Sequence, residues 1–379
     1  MRRRTFVLAF GTAAAFIIGS LPALLRSRSE PTTSPAPEPV LPSEHQRTVE
    51  ALRPPKRPRP SIAILALHEG TEVSDFLNAY GVLMEASVAD VSVVSERSES
   101  IRLYPSVRVA AQATFTEYDA SHPEGADFVV VPALEPRDNP AVLAWIRAQH
   151  GKGAKIVSIC NGSLTLAAAG LLAGRRATGH WYSVDQLQAE QPSMTFVRDR
   201  RYVADRGVAT STGITAAIPL MITLVEAIGG HTAAAAVAAR LGVTDWDARH
   251  NSSTFRLTGE HRKTFVRNRL TFWRHETVGI KLADGVDEIA LGLMADAYSR
   301  TELTRMITVS ESGESVRSRR GLRLRPDTSV ADGGLDMVIQ PPRDEPARAI
   351  DRELARIASR YDRPTAALVA LTMEYPWPT

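Results

Sequence analysis

The sequence predicts an α/β protein on a doubly wound, mostly parallel sheet, and three observations carry that expectation. Ile62-Ala-Ile-Leu-Ala-Leu67 and Asp127-Phe-Val-Val-Val-Pro132 contain short, unbroken apolar runs, as parallel strands covered on both faces require. Helix-period stretches separate such runs: Glu72 to Ala86 follows a turn at Gly70, and Pro140 to Ala148 follows the 128–131 run. Lys155-Ile-Val-Ser-Ile159 then leads straight into Cys160, a small-residue turn, and an alanine- and leucine-rich helical stretch. Val91 to Val94 and Ser106 to Val109 supply further strands. In such sheets ligands bind beyond the carboxyl ends of the strands, where Gly70 and Cys160 both fall.

Cys160 is the sole cysteine, so an intramolecular disulfide and any cysteine-rich metal site are excluded. The order strand, Cys160, Asn161-Gly162-Ser163, helix is that of a nucleophile elbow, which lifts one side chain onto a sharp turn. The small residue two before the nucleophile is Ser158, and Gly162 stands two after it. A thiol there meets a helix N-terminus, whose dipole and free N–H groups favour thiolate. The competing reading is a buried cysteine serving as a small hydrophobe.

At 379 residues the chain has room for two domains. Its formal charge of +3 hides an asymmetry, because residues 1–60 carry ten Lys/Arg against four Asp/Glu and the remainder 35 against 38. The body is close to neutral, so charge gives no argument for a nucleic-acid partner. The nine histidines show no metal-site spacing, and no cofactor is implied.

Residues 1–26 read as a twin-arginine-like export signal or a membrane anchor. Arg2-Arg-Arg-Thr-Phe leads into twenty uncharged residues, Phe6 to Leu25, long enough to span a bilayer. Without a clear cleavage site or a lipid-attachment cysteine, retention at the cell membrane with the body on the extracytoplasmic side is expected; the alternative is an exported soluble protein. Residues 27–60 are proline-rich and predict an extended linker, with the basic run 53–59 solvated.

His180 lies in Gly174-Arg-Arg-Ala-Thr-Gly-His-Trp181, and Val208-Ala-Thr-Ser-Thr-Gly-Ile-Thr-Ala-Ala217 precedes a long apolar helix ending near Gly229-Gly230. With the Cys160 elbow and the 127–132 strand, these blocks make residues 61–242 resemble the ThiJ/PfpI superfamily of glutamine-amidotransferase-like domains. The resemblance is strongest to the branch at the front of AraC-type regulators and to isonitrile hydratases. It implies a flavodoxin-like fold and a site at Cys160. By position it implies that Asp75 points an acid at the cysteine, with Glu72 as the competing candidate, and that His180 acts as general base. A solvated carboxylate, or a histidine packed on Trp181, is the plainer alternative for each. The family often has Gly-Gly after the position of Pro132; here Ala133-Leu134 stands instead. The N–H groups of Leu134 and Asn161, with Gly162 beside them, remain the candidate oxyanion donors, though the lost glycines crowd the site.

After a connector, 243–276, the pattern restarts. Val278-Gly-Ile-Lys-Leu-Ala-Asp-Gly285 echoes 63–70, and Ser310-Glu-Ser-Gly-Glu-Ser-Val-Arg317 echoes 95–102 at an offset of 215 residues. Pro342-Arg-Asp-Glu-Pro-Ala347 echoes 136–141, and Ala366 to Leu371 reads as a last strand. Residues 277–379 are thus expected to be a degenerate, truncated second α/β half-domain, with Ala290 in place of Asp75 and Thr372 in place of Cys160. It should pack on the first domain as a pseudo-dimer within one chain, monomeric overall, with the connector aromatics Trp246 and Trp273 plugging the junction. The functional expectation is a cysteine-dependent small-molecule hydratase or hydrolase. A non-catalytic ligand or redox sensor is the alternative; a transcription regulator is less favoured because no DNA-binding module follows.

Overall fold

The computed structural model describes residues 38–377. The expected export or anchor segment and the first part of the expected linker lie outside the described residues. The rest of that linker is not an extended spacer. Pro42–Ala51 forms helix α1, with proline in its first turn where no intrahelical N–H is needed. Glu44 pairs with Arg200 at 2.6 Å, His45 meets Glu226 at 3.0 Å, and Leu52 is buried. The basic run is anchored as well: Lys56 Nζ donates to the carbonyls of Glu124 and Ala126, and Arg57 pairs with buried Asp127. The prolines remove backbone donors, but the cationic side chains find acceptors at the amino edge of the sheet, which composition alone does not reveal.

The first region follows. It runs β1 (Ser61–Ala66), β2 (Glu69–Glu72), α2 (Val73–Ala86), β3 (Asp90–Ser95), β4 (Ser100–Tyr104), β5 (Val107–Ala110) and β6 (Ala113–Thr114). Next come α3 (Phe115–Ser121), β7 (Phe128–Val131), α4 (Pro140–Gly151), β8 (Lys155–Ser158) and α5 (Gly162–Ala168). The short strands β9 (Arg176–Ala177) and β10 (Thr195–Phe196) bracket α6 (Val184–Glu190). The hairpin β11 (Tyr202–Asp205) and β12 (Val208–Ser211) leads into α7 (Ala217–Leu241).

Seven strands form one sheet in the order β11-β12-β8-β7-β1-β3-β6, parallel except for the β11–β12 hairpin. The pleat divides β1 between two cores. Ile62, Ile64 and Ala66 face α2 and α7, whereas Ala63, Leu65 and Leu67 face the opposite side with Trp145 and Ile146 of α4. The fold is therefore the doubly wound one that the apolar runs predict. One helical stretch among the described residues, Ile214–Leu241, is long and apolar enough to cross a membrane. Its first half is core, and at Gly230 (φ 81°, ψ 168°) the backbone leaves the helical conformation, so the long apolar helix ends near Gly229-Gly230 as the sequence suggests and a second helical stretch runs on to Leu241.

A second α/β region is present. It contains α8 (Gly259–Leu270), β13 (Glu276–Lys281), α9 (Glu288–Ser299), β14 (Thr304–Ser310), β15 (Val316–Arg317), β16 (Arg323–Arg325), β17 (Thr328–Ser329) and β18 (Met337–Ile339). Helices α10 (Ala349–Arg360) and α11 (Arg363–Thr372) follow. Four strands make a parallel sheet in the order β17-β14-β13-β18. The expected last strand at 366–371 is instead the body of α11. Asp362 caps its first turn by accepting from Thr365 N–H at 2.8 Å, and alanine and leucine propagate a helix well. Short apolar runs of this length read alike as strand or helix. The connector also differs from expectation. Trp246 lies on the first region, its indole N–H donating to Glu226 at 2.8 Å and its ring against His231, and Trp273 is 71% exposed and plugs nothing.

The two regions meet chiefly through α2 and α9. Gly81 and Gly292 let these helices approach closely: a Cβ on Gly81 would lie 2.5 Å from Ile289 Cγ1, and one on Gly292 would lie 3.1 Å from Leu77 Cβ. Beside them β16 pairs antiparallel with β5, so a five-stranded sheet, β15-β16-β5-β4-β2, runs across both regions. Arg320, buried at the same junction, reaches Glu85 at 2.8 Å and Glu288 at 2.7 Å.

Candidate active site around Cys160

Cys160 sits between β8 and α5 at φ 54°, the left-handed conformation that a sharp strand-to-helix turn imposes on its nucleophile position. Its N–H donates to the carbonyl of Thr212 at 3.0 Å, and its own carbonyl accepts from Ser163 Oγ at 2.9 Å. Gly162 is required here, since a Cβ would lie 2.2 Å from the Val131 carbonyl oxygen. Its N–H is spent on the carbonyl of Ile159 at 2.8 Å, so Gly162 offers space rather than an oxyanion donor. The N–H of Asn161 points to the Cys160 sulfur.

The thiol is 5% exposed, and burial pushes it well above its ordinary range, with the carboxylates of Asp75 and Glu72 adding to the effect. Arg300 and the Asn161 N–H oppose this without overcoming it. The expectation that the helix N-terminus yields thiolate is thus corrected. A seven-residue helix ending in the interior supplies less than the loss of water removes.

Asp75 and Glu72, expected as alternatives, are both present and buried. Glu72 is the N-cap of α2, and its Oε2 accepts from Asp75 N–H at 2.6 Å. Asp75 Oδ2 accepts from Ala133 N–H at 2.9 Å, and its Oδ1 is buried without a partner. Burial raises the Asp75 carboxyl to about 7; nearby Asp296 adds to this, while the Ala133 N–H and Arg300 work against it. Glu72 is raised as well, by burial and then by Asp296 and Asp75. Solvated carboxylates they are not.

Leu134 lies beside this cluster, held by a bridge to Thr71 in which Glu72 N–H donates to the Ala133 carbonyl and Glu135 N–H to that of Gly70. The N–H of Leu134 takes no part in that bridge. The close approach depends on Gly70 (φ 88°), where a Cβ would lie 1.9 Å from the Glu135 carbonyl oxygen.

His180 is also buried, but its ring is engaged elsewhere. Nδ1 accepts from Tyr182 N–H at 3.3 Å, which places the proton on Nε2, and Nε2 donates to the Thr372 carbonyl at 3.2 Å. Burial lowers its pKa. No lone pair is left for the thiol in this arrangement.

Three further participants come from distant parts of the chain. Arg300, at the end of α9, is buried; it pairs with Asp296 at 2.6 Å, lies 3.7 Å from Glu72 Oε1, and reaches the Thr372 carbonyl at 3.4 Å. It supplies a cation to a cluster of three carboxyls and a thiol. Glu374, just past α11, is buried against the Gly213 turn, and His250 of the connector meets it at 2.9 Å. A histidine amid aromatics was the only visible signal for His250; nothing local marks Arg300 or Glu374.

The chemistry of the cluster is that of a protonated thiol, a carboxyl poised near neutrality, and a shared buried cation. Comparison with known proteins shows what the first region is similar to. The DJ-1/PfpI family matches residues 60–227. Isonitrile hydratase from Pseudomonas putida is 34% identical over 163 residues, covering 41% of this chain and 67% of that protein. The HTH-type transcriptional regulator CdhR from Pseudomonas aeruginosa is 39% identical over 103 residues, and the match spans 30% of its length and 27% of this chain. Among solved structures, Drosophila melanogaster DJ-1beta aligns over 49% of this chain and its entire length at 23% identity, with a TM-score of 0.45.

Proposed function

Because the chain belongs to the DJ-1/PfpI family, we propose that it is a cysteine-dependent small-molecule hydratase or hydrolase in which Cys160 attacks and Asp75 carries the proton. The observation that carries this reading is the pairing of an elbow cysteine with a carboxyl raised to about 7 that keeps one oxygen, Oδ1, unpartnered. A group half-protonated near neutral pH can both give and take a proton during turnover. For a substrate with a carbon–nitrogen triple bond, sulfur bonds to carbon, and Asp75 passes the thiol proton to nitrogen in a nitrile or to that same terminal carbon in an isonitrile, leaving a carbon–nitrogen double bond. Water then attacks that carbon, the carbon–sulfur bond breaks, and the proton returned to sulfur restores the thiol. In this reading the N–H groups of Asn161, released from the sulfur as it attacks, and of Leu134 hold negative charge as it develops.

A second reading, a ligand or redox sensor, is favoured by the resting state itself. The thiol is neutral and covered, and both nitrogens of His180 are occupied. The regulator reading has least support, since the match to CdhR covers a minority of that protein.

The remaining proposals concern the setting. Residues 277–377 are read as a degenerate copy of the first region that takes the place of a dimer partner. The strand order β17-β14-β13-β18 parallels β6-β3-β1-β7, and the offset of 215 residues between β1 and β13 recurs between β6 and β17. Val109 and Leu324 face each other at that same offset across the β5–β16 pair, as self-complementary association about a two-fold axis would place them. Residues 1–26 are proposed to hold the body at the extracytoplasmic face of the membrane or to direct its export.

The test is direct. Full-length protein is incubated with alkyl isonitriles and nitriles, and amide formation is followed by mass spectrometry. Turnover is expected, and Cys160→Ala and Asp75→Asn should each abolish it. Turnover that survives Cys160→Ala refutes the reading. Binding without turnover, with peroxide converting Cys160 to the sulfinic acid, selects the sensor.

A further inference from the structure

The segment just past α11 does more than end a helix. Glu374 adopts φ 55° and turns its side chain inward, where it is 3% exposed. Its Oε2 accepts from Gly213 N–H at 2.5 Å and from Trp181 N–H at 3.3 Å, and its Oε1 lies 2.9 Å from His250 Nε2. Three donors from three separate parts of the chain converge on one carboxylate. The cradle exists because residue 213 has no side chain: a Cβ there would lie 2.4 Å from Glu374 Cβ and 2.6 Å from Oε2.

This cradle adjoins the cysteine. Thr212, which precedes Gly213, accepts the Cys160 N–H, and His180 precedes Trp181. The segment that delivers Glu374 also lies across the site. The Thr372 carbonyl accepts from His180 Nε2 and from Arg300, the Leu371 carbonyl accepts from the Trp181 indole N–H at 2.9 Å, and the Glu374 carbonyl accepts from Thr215 Oγ1 at 2.8 Å.

We propose that the Gly213 N–H, the Trp181 N–H and His250 Nε2 form a carboxylate-binding subsite of the Cys160 site, that Glu374 fills it as a resident ligand, and that a small free carboxylate takes its place when the 371–377 segment withdraws. The inference rests on the reading of Cys160 as the reactive centre and names a substrate class for it: a small molecule bearing a carboxylate a few bonds from the reacting carbon. Glu374 mimics that group and keeps the site closed in its absence. Donors left unpaired in a buried cradle are costly, so either the glutamate or a ligand must fill it.

The test is chemical rescue. Glu374→Ala removes the Cγ methylene together with the carboxylate, a deletion with the shape of acetate. In the full-length variant, acetate should raise the melting temperature saturably, whereas acetamide at equal concentration and chloride at equal ionic strength should not; wild-type protein should show no acetate response. Iodoacetamide should alkylate Cys160 about tenfold faster in the variant than in wild type, the change expected from losing one charge-assisted hydrogen bond that holds the segment shut, and acetate should slow it again. Should Glu374→Ala fail to fold, Glu374→Gln preserves the bulk without the charge, and faster alkylation there supports the same conclusion. A folded Glu374→Ala that responds equally to acetate and acetamide overturns the proposal, as does alkylation of Glu374→Gln at the wild-type rate where only that variant folds. An acetate-specific rise in melting temperature with Cys160 inert throughout establishes the subsite and removes the cysteine chemistry instead.

Discussion

Replacing Asp75 with asparagine should make the protein more stable at pH 8, although the substitution removes a residue from the heart of the site. The reason is the cost of burying its charge. Folding raises the carboxyl from 3.8 to about 7, so the native state keeps a proton that the unfolded chain gives up. The unfolded state therefore binds fewer protons than the native state between about pH 4 and pH 7, and stability falls across that window as pH rises. A shift of roughly three pK units at about 1.4 kcal/mol each sums to about 4 kcal/mol, all of it felt above pH 7. Asparagine never ionises, and its carbonyl can still accept from Ala133 N–H as Oδ2 does now. Urea denaturation from pH 4 to pH 8.5 is the assay. The two proteins should match within about 1 kcal/mol at pH 4 and diverge steadily to pH 7, with the variant ahead by up to about 4 kcal/mol and the gap constant beyond. A variant that keeps the wild-type slope from pH 4 to 7, or that is less stable at pH 8, would show that Asp75 is ionised and well paired in the folded protein.

Three further outcomes follow from the same geometry. Arg300→Met should cost about 3–5 kcal/mol in a denaturant melt at pH 7, because it strips the buried cation from Glu72 and Asp296, and Asp75→Asn should recover part of that loss. Gly162→Ala should lower the melting temperature and reduce expression, since its Cβ would lie 2.2 Å from the Val131 carbonyl oxygen and α5 would have to move off β7; an unchanged melting temperature would show that this contact is slack. Replacing Arg3 and Arg4 with lysine should block export if the twin-arginine route is used, as fractionation of expressing cells would report; normal export of the double variant would point to the general route or a plain signal anchor.

The sequence by itself determined the central sheet and the place of the candidate site within it. β1, β7 and β8 are apolar on both faces, a pattern that few structures other than a covered parallel sheet can satisfy, and the run into Cys160 could only be an elbow once β8 and α5 were placed. Asp75 and Gly70 followed from resemblance and from their position at the end of β1. What lay beyond the sequence was everything set by contacts between remote segments. Lys56 and Arg57 look like linker until the Glu124 and Ala126 carbonyls and the Asp127 carboxylate appear beside them. Ala366 to Leu371 fits strand or helix equally along the sequence, and in the fold it is a helix capped by Asp362, with β18 as the edge strand of its sheet among the described residues. The protonation of Cys160 was undecidable for the same reason. A helix N-terminus is local and legible, whereas the loss of water, the carboxyls of Asp75 and Glu72, and an arginine 140 positions further along at Arg300 are not. Electrostatics in a buried site depends on every charge within a few ångströms, and those neighbours are chosen by the fold and not by proximity along the chain.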